Sequence, residues 1–281
     1  MRLTLARALA LAATVALLTL SFGTGLAAAA DGRDSRHAEN TFTKWVAGFP
    51  SMSGVVGGDV GAGTYSGTII SLVDTPTSRT INAIYRFRGA DHSFDALVHV
   101  VANGRVIGST AVVTGVVTDG WLAGNVVSGG YEQIGCTQAV SGFCFQGWLD
   151  ILRGTKSADH PVGNTFTKWI TAYPAMAGVV GGAVGDGAYS GRILSLDVTD
   201  TGLTINATYH FEGADQAFTA LVQVVQTGFT PGATARIGGL IFDGWHAGQR
   251  VAGEYTQVAC PQSPGDCFAG TLDIFRGSIW D

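Results

Sequence analysis

Residues 40–60 read NTFTKWVAGFPSMSGVVGGDV, and residues 164–184 read NTFTKWITAYPAMAGVVGGAV. The correspondence continues downstream, where TINAIYRFRGAD at 80–91 returns as TINATYHFEGAD at 204–215. The offset between the copies stays constant until the cysteine-rich loop, which is one residue shorter in the second copy. The chain is therefore a tandem duplication of one unit of about 115 residues, which is an ordinary size for a single domain.

The opening stretch of each copy predicts a short amphipathic helix. Asn40 or Thr41 is a suitable N-cap. Large apolar side chains then recur at i, i+3, i+4 and i+7, which places them on one helical face: Phe42, Trp45, Val46 and Phe49. A proline, Pro50 or Pro174, ends the pattern in both copies.

Downstream of this stretch the hydrophobic period changes to two. Within residues 80–87 the alternating apolar side chains are Ile81, Ala83, Tyr85 and Phe87. This alternation is typical of a half-buried strand, and turn signals with glycine or aspartate separate about seven such segments in each copy. Glycines within strands suit the bends and bulges of a small closed barrel. We therefore expect an antiparallel β-barrel, with a β-sandwich as the alternative.

These patterns fix the predicted fold class and segments. The fold class is mainly β: two tandem copies of a small antiparallel barrel or sandwich of about seven strands, each preceded by a short amphipathic helix. The segments are a signal peptide at 1–30, a disordered leader at 31–39, a first β-barrel-like repeat at 40–154, a linker at 155–163 and a second repeat at 164–281.

The N-terminus has the composition of a secretory signal peptide. Arg2 and Arg7 precede an apolar run, and the alanines at 27–30 suit a signal peptidase site. The apolar run is shorter than the ~20 residues that a spanning helix needs. Since no later stretch is apolar enough to span a bilayer, we expect a secreted mature chain without a membrane span.

Four cysteines fall in two close pairs, one in each copy. Their matching positions favour disulfides between Cys136 and Cys144 and between Cys260 and Cys267, as expected in an oxidising compartment. A metal site is the alternative, but the cysteines lack CxxC spacing and have no repeated histidines beside them. We therefore predict two disulfides and no bound metal.

Composition and motifs argue against several classes of function. A net charge of −5 without a cluster of lysines or arginines gives no electrostatic footprint for nucleic acid. The glycine-rich runs at 54–63 and 178–187 lack the GxGxxG register and the Walker lysine, so they predict hairpins rather than a nucleotide site. No cofactor is predicted.

The sequence offers no shared catalytic constellation. No histidine recurs at the matching position of both copies, as His92 and Gln216 illustrate. The chain also lacks a GxSxG elbow and an HExxH helix. The shared aspartates Asp119 and Asp243 stand in turn signatures, where aspartate commonly accepts backbone hydrogen bonds. The sequence therefore favours a protein without catalytic activity.

The tryptophans of the repeated DGW turns are the better candidates for function. Trp121 and Trp245 each follow a tight turn, and a tryptophan there offers a flat face to a sugar or an apolar ring. The alternative is that each indole folds back to cover the end of its barrel. The next residue differs between the copies, as expected if two sites differ in selectivity. The candidate binding residues are Asp119, Trp121, Asp243, Trp245 and His246.

The sequence thus predicts a secreted, non-catalytic binding or surface-interaction protein whose ligand is a glycan or a small apolar molecule. Two linked sites would gain avidity. Two alternatives stay open: a secreted enzyme, either a hydrolase or an isomerase that works by shaping a pocket, and a structural envelope protein. A pocket with converging polar groups would favour binding or catalysis, whereas a filled interior would favour the structural role.

Overall fold

A computed structural model describes residues 37–139, 142–152, 161–260 and 267–275, which belong to one compact unit. The predicted signal peptide at 1–30 lies outside the described residues, as do most of the predicted leader and linker. Two sets of antiparallel strands make up the described chain.

Eight antiparallel strands form the first barrel. They are β1 (His37–Gly48), β2 (Ser51–Gly58), β3 (Gly63–Asp74), β4 (Arg79–Gly89), β5 (Ser93–Ala102), β6 (Thr110–Gly120), β7 (Val126–Gly135) and β8 (Phe143–Leu152). Each strand pairs with the next one along the chain, and β1 also pairs with β8. This last pairing closes the sheet, so the barrel has no exposed strand edge.

Eight further strands form a second closed barrel of the same order. They are β9 (Val162–Ala172), β10 (Ala175–Gly182), β11 (Gly187–Val198), β12 (Gly202–Gly213), β13 (Ala217–Thr227), β14 (Thr234–Gly244), β15 (Arg250–Val258) and β16 (Cys267–Phe275). Irregularities of register recur as well: the shift between Ile69 and Ser71 returns between Ile193 and Ser195. The two copies therefore share one fold, as the repeat predicts.

The predicted opening helix is wrong, because the NTFTKW stretch of each copy lies in a strand, β1 or β9. In β1 burial alternates with period two, and the buried side chains are Ala38, Asn40, Phe42 and Lys44. Two of these inward residues, Asn40 and Lys44, are polar. The sequence of β1 therefore does not alternate between apolar and polar residues, which is the pattern that identifies a strand. Pairing of β1 with both β2 and β8 overrides the weak helical pattern.

The predicted strand number is also wrong, since each barrel has eight strands rather than seven. The additional strand is the one predicted as a helix, and it is the strand that closes the barrel. The expectation of a closed barrel rather than a sandwich is confirmed. Strand β1 begins at His37, inside the predicted leader, and β9 begins at Val162, inside the predicted linker.

Aromatic side chains fill the interior of each barrel. Those buried in the first are Phe42, Tyr65, Tyr85, Phe87, Phe94 and Tyr131. Their counterparts in the second are Phe166, Tyr189, Tyr209, Phe211, Phe218 and Tyr255. Inward glycines make room for these rings, because a Cβ on Gly67 would lie only 2.7 Å from the Tyr65 hydroxyl. The lumen is a packed core.

The asparagine of the NTFTKW stretch ties three segments of the barrel together. Asn40 is fully buried; its Nδ2 donates to the Leu149 carbonyl at 3.1 Å, and its Oδ1 accepts from the Val60 N–H at 3.1 Å. Asn164 accepts from the Val184 N–H at 3.0 Å in the second barrel. A buried amide is favourable only when paired in this way, so the motif specifies the closure of each barrel.

Both predicted disulfides are confirmed. Cys136 and Cys144 have Cα atoms 5.5 Å apart, and those of Cys260 and Cys267 are 4.9 Å apart. Two such pairs are consistent with an oxidising extracellular environment. In the described ranges, no helix is long and apolar enough to cross a membrane.

The two barrels contact each other through part of their outer surfaces, involving β3, β5 and β6 of the first barrel. Leu97 and Val116 of the first barrel and Leu221 of the second are buried in this contact. His99 stacks on Phe242 with ring centroids 4.4 Å apart, and burial lowers the pKa of His99. The surface formed by β1, β7 and β8 lies elsewhere on the first barrel.

Candidate binding surface

The two DGW turns lie at corresponding ends of the barrels. Trp121 follows β6 and donates its backbone N–H to the Ser93 carbonyl at 2.8 Å; Trp245 follows β14 and donates to the Ala217 carbonyl at 2.8 Å. Both indoles are half-buried and pack against the core of their own barrel. This packing covers the barrel end and leaves only part of each indole accessible to a ligand.

A histidine contacts each of these tryptophans, but from a different position of the repeat. The His92 ring stacks on Trp121 with centroids 4.0 Å apart and planes 12° apart. In the second barrel, Gln216 replaces His92, and the ring of His246 lies 4.4 Å from that of Trp245. The structure therefore brings the predicted residues Trp245 and His246 together, and it adds an unpredicted partner for Trp121.

The aspartates of the DGW turns are exposed at the ends of β6 and β14. Asp119 lies opposite Asp95 on β5, and Asp243 lies opposite Thr219 on β13. Arg88 forms an ion pair with Asp95 at 2.5 Å. Each aspartate lies two residues before its tryptophan in the sequence, and its cross-strand neighbour differs between the two barrels.

A third tryptophan, which is not among the residues predicted from the sequence, lies on the outer surface of the first barrel. Trp148 of β8 is 47% exposed, and the residue opposite it on β7 is Gly130. A Cβ on Gly130 would lie 3.8 Å from the indole Nε1 and 4.0 Å from Cε2. The indole therefore leans over a position that has no side chain, while much of its surface faces solvent.

Trp148 belongs to a row of outward residues that crosses the strands. Gly130 lies opposite Val112 on β6, which in turn lies opposite Val101 on β5. The exposed fraction is 62% for Val112 and 46% for Val101. We call the outer surface of β1, β2, β7 and β8, together with the part of β6 around Thr110 and Val112 and with Trp148 at its centre, the Trp148 face. Exposed apolar residues grouped in this way make the face a candidate interaction site.

Two shallow grooves flank the indole. The larger, of about 460 Å³, runs towards β1 and β2, and its outward polar groups include Thr41 and Thr43. The smaller, of about 320 Å³, runs towards β6 and β7 and includes Thr110 and Glu132. Trp148 and Gln146 line both grooves and form the ridge between them. An aromatic ridge between grooves with hydroxyl, amide and carboxylate groups suits a ring-shaped polar ligand.

The second barrel keeps only the β5 end of this row, as the exposed Val225 of β13, although its strands pair in the same register. The replacements are Arg236 for Val112, Glu254 for Gly130 and Thr271 for Trp148. Because a barrel of the same order closes with polar residues at these places, the fold does not require the apolar row. The difference is a property of the first copy alone.

A signal in the sequence pointed to Trp148. In FQGWLDI, the alternation that places Leu149 and Ile151 in the core places Trp148 on the opposite side of the strand. The second copy reads FAGTLDI, so the tryptophan is also absent from the shared scaffold. A large apolar residue on the outer side of a strand, at a position that differs between the copies, indicates a role other than packing of the shared core.

Each barrel also contains a buried lysine that is not among the residues predicted from the sequence. Lys44 Nζ donates to the Tyr85 hydroxyl, and Lys168 Nζ donates to that of Tyr209. Lys44 Nζ lies 4.0 Å from the Tyr85 ring centroid and 4.4 Å from that of Tyr131. Burial lowers the pKa of Lys44 well below its ordinary value and that of Lys168 to about 7.

The packing of the core limits the chemistry of these lysines. An amine with a lowered pKa is a nucleophile towards carbonyl compounds. Lys44 and Lys168 are only 3% and 2% exposed, however, so a substrate reaches Nζ only if the barrel opens. The lysines are therefore part of the core in this structure.

In the part of the chain that the structure describes, no three His, Cys, Asp or Glu side chains come together as a metal site would need. Comparison of the chain with models of protein families, with curated proteins and with solved structures finds no match. The inference of function therefore depends on the geometry of this chain.

Proposed function

We propose that the protein is a secreted, non-catalytic binding protein, and that the Trp148 face of its first barrel binds a carbohydrate chain. The signal-peptide composition of the N-terminus and the two disulfides support secretion. The ligand binds on the outside of the barrel, because the lumen is occupied by buried aromatic rings.

The observation that carries the proposal is the exposed indole of Trp148 on its ridge between two grooves. A sugar ring presents C–H groups on its faces and hydroxyl groups around its edge, so it stacks on an indole while its edge forms hydrogen bonds. Gln146, Thr41 and Thr110 supply such partners on either side of the ring. An indole has little conformational entropy to lose when it binds, which favours it as an anchor.

The grooves on both sides of the indole favour a chain over a single sugar. The two grooves meet at the Trp148 ridge, so adjacent sugar units lie in the grooves while one unit stacks on the indole. Several weak contacts along a chain together give useful affinity, even though each groove is shallow.

Calorimetric titration of the mature protein with a panel of soluble oligosaccharides tests the proposal. W148T is the matched variant, because the second barrel carries Thr271 at this place. We expect at least one oligosaccharide to bind the wild type. The substitution W148T should lower the affinity for it about tenfold or more, because loss of a central aromatic residue typically has an effect of this size. An unchanged melting temperature shows that the variant is folded. Equal binding by both proteins, or no binding to the panel, would overturn the proposal.

The DGW turns are a second candidate site within the same function. The observation that favours them is the recurrence of a Trp–His contact at both barrel ends, from different positions of the repeat. The variants W121A and W245A, titrated with the same panel, separate this site from the Trp148 face.

A further inference from the structure

Lysine and arginine side chains are missing from the outer surface of the five strands that form the Trp148 face. Its five strands, β1, β2, β6, β7 and β8, contain a single lysine or arginine, Lys44, and this side chain is buried inside the barrel. The first barrel's arginines occur elsewhere in the described chain, on β4 and on the loop that follows β5. No lysine or arginine of these strands is therefore available to an anionic ligand, and the histidine that they carry is His37, at the start of β1.

Carboxylates flank the indole along the strand direction. Glu132 lines the smaller groove together with Trp148. Asp150 lies two residues beyond Trp148 on β8, and it is opposite Glu39 of β1. Burial raises the pKa of Asp150, as do the nearby charges of Glu39 and Asp59, while His37 acts in the opposite direction. Negative charge is therefore concentrated on both sides of the ring platform.

We propose that the carbohydrate bound by the Trp148 face is an amine-bearing glycan, a chain of hexosamine units with free amino groups. This inference rests on the proposed function and names the class of its ligand. A sugar ring on Trp148 places the substituents at its edge over the groove that holds Glu132. An ammonium group there forms a charge-assisted hydrogen bond with the carboxylate, which is stronger than a bond between neutral groups.

The second barrel supplies an internal comparison for the charge as well as for the indole. Thr256 stands where the first barrel has Glu132, and Gly163 stands where it has Glu39. The corresponding strands of the second barrel also carry Arg236 and Arg250 on β14 and β15. Glu132 and Glu39 thus accompany the tryptophan, whereas Asp150 returns as Asp273 in the second barrel and Glu254 stands there in place of Gly130.

The test compares three soluble oligosaccharides of equal length: an oligomer of glucosamine, its N-acetylated form and an oligomer of galacturonic acid. Binding to the full mature protein is measured at pH 6, where the primary amine carries a proton. At low salt we expect the glucosamine oligomer to bind about tenfold more tightly than the acetylated one, and the uronic acid oligomer to bind most weakly. The preference should shrink at high salt, since these charges are exposed to solvent.

The variant E132T removes one carboxylate and installs the residue of the second barrel. We expect it to weaken binding of the glucosamine oligomer about threefold to tenfold, and to weaken binding of the acetylated oligomer by a clearly smaller factor. If the acetylated oligomer binds as tightly as the glucosamine oligomer, or E132T has no effect, while W148T still abolishes binding, only the charge inference fails. If none of the three oligomers binds, or W148T changes nothing, the proposed function fails with it.

Discussion

Trp148 and Gly130 are opposite each other on β8 and β7, and the indole lies over the glycine. Cross-strand contact between a large ring and an empty position stabilises a sheet locally. This pairing explains why the ring leans across the sheet. It does not account for the exposed Val112 beside it, which continues the apolar surface beyond the pair.

The contrast between the barrels predicts that the binding surface is transferable. Substitution of the second barrel with the residues of the first gives the triple variant R236V/E254G/T271W. We expect this variant to gain a second site, so that the number of ligands bound per chain doubles in calorimetric titration. The equivalent register of β14, β15 and β16 supports the transfer. A folded variant that still binds one ligand would show that the indole and its glycine are not sufficient.

The buried lysines predict an unusual dependence of stability on pH. The pKa of Lys168 in the folded protein is about 7, and Lys44 is shifted in the same direction. Between pH 7 and the unfolded value of about 10.4, the unfolded chain binds more protons than the folded one, so the free energy of unfolding rises with pH. We expect a slope of up to about 1.4 kcal/mol per pH unit from Lys168.

Above pH 10 the tyrosines reverse this trend. Burial raises the pKa of Tyr131 to about 12, so the unfolded chain loses its tyrosine protons first and stability falls. Urea titrations at pH 7, 8, 9, 10 and 11 measure the profile, and K168M is expected to flatten its rise. Because the described cysteines are all paired, thiol exchange does not disturb the measurement. A stability that is flat or falls between pH 7 and pH 10 would contradict this account of the lysines.

Trp121 packs against the core and under the His92 ring. We therefore expect W121A to lower the free energy of unfolding by about 2–4 kcal/mol, somewhat less than for a fully buried tryptophan. W148T is the control, and we expect it to change stability by less than about 1 kcal/mol because the residue is exposed. Retained stability with loss of ligand binding in W121A would instead make the DGW turn the binding site.

Asn40 connects β1 to β8 and to the residue Val60 that follows β2. Its replacement by alanine leaves the Leu149 carbonyl and the Val60 N–H without this partner in the core. We expect N40A to cost about 2–4 kcal/mol of stability, since each unpaired buried group costs about 1–3 kcal/mol. Chemical denaturation of N40A measures the loss. A change below about 0.5 kcal/mol would show that water or backbone rearrangement replaces the amide.

The architecture was largely predictable from the repeat and from the period-two segments, but the closing strand was not. Strands such as β4 alternate apolar and polar residues, so their side chains report which way they point. Strand β1 places Asn40 and Lys44 in the core, and its outward Trp45 completes a helix-like spacing with Phe42. Only pairing with β2 and β8 makes a strand of this sequence, and that information lies elsewhere in the chain.

The candidate site was predictable only in part, for a similar reason. The DGW tryptophans were found because they recur, and recurrence is a sign of scaffold as much as of function. Trp148 does not recur, so a search for shared residues passed over it. The indole is exposed beside a residue without a side chain, Gly130. Only the register of β7 and β8 identifies Gly130 as its neighbour.

The six tryptophans of the chain give a direct way to locate the ligand. In a ¹⁵N-labelled mature protein each indole N–H gives its own NMR signal, and the spectrum of W148T identifies the one from Trp148. The account predicts that titration with a bound oligosaccharide shifts the Trp148 signal most and leaves those of Trp121 and Trp245 in place. Movement of the Trp121 or Trp245 signals, with that of Trp148 unchanged, would contradict it.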